Sequence, residues 1–248
     1  HRAWGRIADP RGGSGARTPG AVSLGQIRAE ARAQGLNLHG VLHPSADDGA
    51  PPGCRTLLLL GPDEPWFWPI FRAAPECRDT RPHPLDRWSQ RVIGALAQVW
   101  GGQAIFPSDG PPYPRFLHWA QASGRAWPSP IGPLVHDEAG LNLSYRGAVA
   151  LDERLDLQDP PVTTPCTGCP RPCTSACPVG ALREGATYDT TACQAHLRRP
   201  AGADCVTGGC LARRACPVSA RLGRLPEQAA FHMAAFMKDW PQSTGDPQ

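Results

Sequence analysis

The sequence predicts an α+β domain over residues 21–157, followed by a small cysteine-rich module over residues 158–248. Three observations carry this reading. Helix-period and strand-period segments alternate through residues 21–157. An acidic, proline-rich stretch, DERLDLQDPPVTTP (152–165), then interrupts the pattern as a linker. Eight of the ten cysteines fall between Cys166 and Cys216, with only Cys54 and Cys77 outside.

Taken in order, residues 1–20 are rich in Gly, Arg and Pro and read as a disordered N-terminal segment. Ser23 is a candidate N-cap for a helix that runs through Ile27 and Ala31 to Gln34, with Gly35 as its stop. LNLHGVL (36–42) reads as a strand and RTLLLLG (55–61) as a buried one. In LDRWSQRVIGALAQVW (85–100), Leu85, Trp88, Val92, Leu96 and Val99 recur at helical spacing, and Gly101 and Gly102 end the helix. QAIFP (103–107) predicts a short strand, YPRFLHWAQASG (113–124) a helix, and LNLSYRGAVAL (141–151) a strand or hairpin arm. A last helix is expected from Pro226 to Lys238. Trp66, Phe67 and Trp68, bounded by prolines, read as packing.

Composition limits the function classes. The 27 glycines and 29 prolines among 248 residues, about 23%, indicate a loop-rich chain. No stretch of 18 apolar residues exists, so a membrane span is not expected. The net charge of +3 is scattered, and no basic stripe is interleaved with aromatics, which argues against a nucleic-acid partner. No Gly-x-Gly-x-x-Gly follows a strand, so nicotinamide dinucleotide binding has no support. The first residues contain no apolar export segment, and a reducing cytoplasm is the expected compartment.

The cysteine spacing is the most specific signal. The first run is Cys166-x2-Cys169-x3-Cys173-x3-Cys177-Pro178, and the second is Cys193-x11-Cys205-x4-Cys210-x5-Cys216-Pro217. Two-cluster bacterial ferredoxins use Cys-x2-Cys-x2-Cys-x3-Cys-Pro, in which the fourth cysteine ligates the other cluster. Closely spaced thiolates on one loop reach three irons of a cube, and the fourth arrives from across a pseudo-twofold axis. On that logic Cys166, Cys169, Cys173 and Cys216 would hold one [4Fe-4S] cluster, and Cys193, Cys205, Cys210 and Cys177 the other. The extra residue in the first run and the long spacers in the second depart from the ferredoxin pattern. Zinc sites prefer Cys-x2-Cys knuckles in pairs, and only one occurs here. Cys54 and Cys77 read as small buried hydrophobes.

Ahead of the cysteines, GCRTLLLLG (53–61) and SGRAWPSPIGPLVHDEAGLNLSYRGAVALDERLDL (123–157), followed directly by the double motif, resemble epoxyqueuosine reductases and reductive dehalogenases. The segment His136-Asp137-Glu138-Ala139-Gly140, followed by Arg146-Gly147, is similar to the His-Pro-x-x-Gly…Arg-Gly stretch of CblC-type cobalamin-processing proteins. The likeness covers roughly 200 of the 248 residues. It implies a nitroreductase-like α/β domain that binds cobalamin near residues 131–147. His136, Arg146 and Gly147 would contact the corrinoid, and Tyr145 would donate a proton. The implied function is transfer of electrons from two [4Fe-4S] clusters to a corrinoid, as a cobalamin-processing or cobalamin-dependent reductase. A flavin is a lesser cofactor candidate. The partners implied are an electron donor (a reductase, ferredoxin or flavodoxin) and a corrinoid or small-molecule substrate. The Pro-Glu-Tyr-Gly loop of the first two groups is replaced by Asp137-Glu138-Ala139-Gly140, so its tyrosine is missing. The alternative reading is a ferredoxin-like electron-transfer protein whose front domain docks a redox partner and binds no corrinoid.

Overall fold

Thr56, Leu57, Leu58, Leu59 and Leu60 are all fully buried, and this run explains the architecture around it. A strand whose consecutive side chains are all apolar must be covered on both faces, because neighbours point to opposite sides of the sheet. The structure, a computed structural model, describes residues 22–161 and 163–238. The disorder expected of residues 1–20 lies outside them. Strand β2 (Thr56–Pro62) is central in an antiparallel sheet with β1 (Leu36–Leu42), β3 (Gln103–Ile105) and β6 (Gly147–Leu151), in the order β1-β2-β6-β3.

On one face Leu58, Leu60, Val149 and Leu151 pack against helices α1 (Leu24–Ala33), α2 (Phe67–Ala73) and α4 (Pro84–Val99). On the other, Leu57, Leu59, Ala148 and Ala150 pack against α5 (Phe116–Ala122) through Phe116, Trp119 and Ala120. This is an α+β arrangement with an antiparallel sheet, as alternating helices and strands without βαβ crossovers produce. A separate two-stranded ribbon, β4 (Ala126–Pro128) with β5 (Leu134–His136), leaves the second layer.

Local chemistry sets several boundaries. Ser23 caps α1 in a reciprocal box with Gln26, and Gly35 leaves the helix at φ +77°. In α4, Leu85, Trp88, Val92 and Leu96 are buried as their spacing requires. Val99 departs from it: it is 68% exposed, and the next residue, Trp100, makes the core contact at the end of the helix instead. Three expected elements are shorter in the structure. The 113–124 helix begins at Phe116, after the Pro-rich Pro111–Pro114 stretch. The 103–107 strand ends at Ile105. Of residues 141–151, only Gly147–Leu151 is strand. Helix α2 and the short α3 (Pro75–Arg78) are additions. Within α2, Pro69 falls in the first turn, where a missing N–H breaks no helical bond. Phe67 and Trp68 are core residues there, whereas Trp66 is 67% exposed.

The linker expected at 152–165 begins tied to the sheet. The Thr56 hydroxyl donates to Glu153 O (2.7 Å) and accepts from Leu155 N–H (3.0 Å), and His43 Nε2 bonds Leu155 O at 2.9 Å. Beyond it come short helices: α6 (Thr190–Leu197), α7 (Ala203–Gly208), α8 (Leu211–Arg214), α9 (Pro217–Arg221) and the longer α10 (Pro226–Lys238). The module is not packed apart from the front domain. Ile131, Val135 and Leu141 share a core with Leu182, Ala212, Cys173 and Cys216. Phe231 of α10 meets Trp68 and Phe71 of α2 at ring separations of 5.4 and 5.7 Å.

Candidate metal centres

The eight clustered cysteines lie around two cavities, four at each. Cys166, Cys169, Cys173 and Cys216 line one of about 380 Å³. Cys177, Cys193, Cys205 and Cys210 line the other, of about 400 Å³. Chain order is crossed in both: Cys216 joins the first run and Cys177 the second.

The backbone explains the placement. Gly168 (φ +71°) and Arg171 (φ +53°) turn the Cys166–Cys173 loop back on itself, and Arg171 N–H donates to Cys169 Sγ at 3.4 Å. Cys216 is the residue before α9, and Pro217 opens the helix at a position where no N–H is needed. Cys193 lies on α6 and Cys205 on α7, and Cys210 caps α8. Gly209, at φ +87°, lets the chain turn between the last two where a Cβ would lie 2.9 Å from that of Ala229.

Electrostatics identify the same groupings. Burial pushes the Cys173 thiol up, and Cys216, Cys166 and Cys169 push it further. Burial raises Cys166 too; the Thr164 hydroxyl opposes this, and Cys169 and Cys216 add to it. In the other set, burial raises Cys193, a hydrogen bond from Tyr188 lowers it, and Cys210, Cys177 and Cys205 raise it. Thiolates this close repel one another, so each set favours a shared cation that offsets several negative charges at once. Among the described residues, no three His, Cys, Asp or Glu side chains converge tightly enough to hold a single metal ion.

The front-domain candidates do not come together. His136 is fully buried, and both its nitrogens are taken: Nε2 bonds His39 O at 2.8 Å, and Nδ1 accepts from the Glu138 and Ala139 amides at 3.1 Å. Burial and the Arg125 charge hold its pKa at about 3. Nδ1 therefore carries no proton, and the 3.1 Å approach of Asp137 Oδ1 to it is a meeting of two acceptors, not an ion pair. Asp137 pairs instead with Arg125 through Oδ2, at 2.8 Å. Tyr145 is buried against Phe116, burial raises its pKa, and its hydroxyl has no partner among the described residues. Gly147 starts β6 where a Cβ would lie 2.8 Å from Ile93 Cδ1, so packing accounts for it. Arg146 points to the face opposite Tyr145, 3.5 Å from Asp86, and lines a cavity of about 250 Å³ with Ser89, Gln90 and Phe106.

These residues do not fit a corrin. Three are enclosed in the fold, and the opening reached by the fourth is smaller than the ~300 Å³ at which ligand sites begin. The cysteine sets, by contrast, supply the thiolate donors that a [4Fe-4S] cluster requires, four at each cavity. Residues at these cavities that sequence reasoning missed are Tyr188, Arg213, Arg224 and His232.

Comparison with known proteins returns no matching family model, no matching curated protein and no matching solved structure.

Proposed function

We propose that this chain is a two-cluster iron–sulfur electron-transfer protein. Cys166, Cys169, Cys173 and Cys216 would hold one [4Fe-4S] cluster, and Cys177, Cys193, Cys205 and Cys210 the other. The observation that carries the reading is the crossed grouping of eight cysteines into two sets of four. Mononuclear zinc accounts for it less well. With Zn–S bonds of about 2.3 Å, tetrahedral thiolates stand only about 3.8 Å apart, and no such convergence exists among the described residues. A cluster places iron at separate corners of a cube and takes its thiolates from further apart.

When bound, the clusters supply one-electron reduction and oxidation. The chain's own residues hold the thiolates on short helices, exclude water with Leu141, Val135 and Leu182, and donate backbone N–H groups to sulfur, as Arg171 does to Cys169. The front domain acts in this reading as the rigid body on which the module is seated. It brings Ile131, Val135 and Leu141 to the module core, and Glu64 bonds Arg224 Nε at 3.1 Å.

The test is anaerobic reconstitution with iron and sulfide, followed by metal analysis. About eight iron and eight sulfide per chain, with a broad absorption near the visible edge that bleaches on reduction, is expected. Two zinc ions and no iron would overturn the reading.

A further inference from the structure

The geometry points to Ser129 at one cavity, and His196 and His232 at the other, as the side chains that donate hydrogen bonds to the sulfurs of a bound cluster. They act as positioning residues, not as iron ligands. This inference rests on the two-cluster reading above.

Each of the three carries a polar atom that the fold encloses and that has no hydrogen-bond partner among the described residues: Ser129 Oγ, His196 Nε2 and His232 Nε2. Each also belongs to the wall of a cysteine cavity. Ser129 stands there with Cys166, Cys173 and Cys216, and the two histidines with Cys177, Cys193 and Cys205. A donor enclosed without a partner has given up its hydrogen bond to water and gained nothing for it, so its place in a wall calls for an acceptor in the cavity. Water fills that role poorly, because a buried water needs about two to four polar partners. Much of each wall is apolar: Val135 and Leu141 beside Ser129, and Leu197, Met233 and Phe236 beside the histidines.

The surrounding elements hold the three groups in place. Ser129 lies in the turn between β4 and β5, where its N–H donates to Pro133 O and its carbonyl accepts from Gly132 N–H, both at 3.1 Å. Through this turn the front domain enters the wall of the Cys166 site. On α6, Cys193 and His196 are three positions apart and share one face. On α10, Ala229, His232, Met233 and Phe236 line the same cavity at the spacing of one helical face. Gln194 Nε2 donates to Phe236 O at 2.9 Å, which ties α6 to α10 and keeps both histidines at one cavity.

The sulfurs of a cluster are acceptors, so the histidines meet it as Nε2–H and the serine as O–H. Adding an electron makes a cluster one charge more negative and its sulfurs better acceptors. Each such bond therefore stabilises the reduced form more than the oxidised one, and removing it lowers the potential.

The experiment is a dithionite potentiometric titration of the reconstituted full chain, followed by electron paramagnetic resonance. It compares wild type with Ser129→Ala, His196→Phe and His232→Phe, and with Ser129→Thr and His232→Gln, which keep a donor. Iron is counted on each. Two one-electron waves are expected. Ser129→Ala should lower one wave and each His→Phe variant the other, by about tenfold in electron partition, or ~59 mV. Ser129→Thr and His232→Gln should recover most of that shift. Unmoved waves in the loaded variants, or His196→Phe and His232→Phe moving different waves, overturn the inference. Electron–nuclear double resonance on reduced wild type carrying isotope-labelled histidine adds a readout that needs no variant to fold. A weak nitrogen coupling is expected; none, or the strong coupling of nitrogen bound directly to iron, overturns the donor role. Absence of any iron–sulfur signal in the wild type overturns the two-cluster reading itself.

Discussion

Gly140 of the front domain lies against Ser219 of the cysteine module, and replacing it tests how the two are joined. It sits at φ +57°, and a Cβ added there would lie 2.5 Å from both Ser219 N and Ser219 Oγ. Ser219 is three residues beyond Cys216, on α9, and its hydroxyl accepts the buried Leu141 N–H at 2.8 Å. Gly140→Ala therefore combines a left-handed backbone penalty of about 1–2 kcal/mol with loss of that bond, about 1–3 kcal/mol for an orphaned buried N–H. The total, about 2–5 kcal/mol, corresponds to a melting point lowered by roughly 4–20 °C for a chain of this length. Ser219→Ala alone should cost only about 1–3 kcal/mol, the bond without the clash. The double variant should not recover, because the backbone nitrogen of residue 219 still blocks the added methyl. The assay is near-ultraviolet circular dichroism on heating at one fixed rate, with iron measured before and after. Gly140→Ala melting within about 1 °C of wild type, with iron retained, would refute this docking.

Two further outcomes follow from the front domain. His39 and His136 both have folded pKa values of about 3 against an ordinary 6.5, with burial the main cause in each. The unfolded chain therefore binds the protons first. Stability is complete above about pH 6.5 and falls as pH drops toward 3, by about 1.4 kcal/mol per pH unit for each histidine. Urea midpoints between pH 7 and pH 5 should show that slope, shallower in His136→Gln; an unchanged midpoint would contradict it. Hydroxocobalamin added anaerobically at micromolar concentration should keep its free spectrum, since among the described residues His136 is enclosed in the fold and the cavity at Arg146 holds only about 250 Å³. A shifted corrin spectrum would restore the cobalamin reading.

What was legible in the sequence was local. Helix α1 and its Ser23 cap, β1, β2, α4 and α10 follow from periodicities within a dozen residues, and the structure has them there. The two-sided burial of Leu57–Leu60 was written in an unbroken apolar run. Strand order was not: β6 pairs with β2 almost ninety positions earlier in the chain, and nothing near Gly147 announces it. His136 illustrates the same limit. Its sequence neighbours are acidic, yet its environment is set by the carbonyl of His39, 97 positions away, and by two amides in its own turn. Val99 kept the helical spacing but is exposed, and its neighbour Trp100 packs into the core instead. At the cysteines, short spacings marked the ligand candidates, whereas Arg213 and Tyr188 came into view only once the cavity existed.

The most direct test of the two sets of four is iron counting in paired cysteine variants. Cys173→Ala and Cys216→Ala should each lose about half of the roughly eight irons. Their double variant should lose no more, because both residues serve one site although they belong to different runs of the sequence. Cys173→Ala combined with Cys193→Ala should lose nearly all. If the Cys173/Cys216 double variant is emptied of iron while the Cys173/Cys193 variant keeps half, the grouping is wrong.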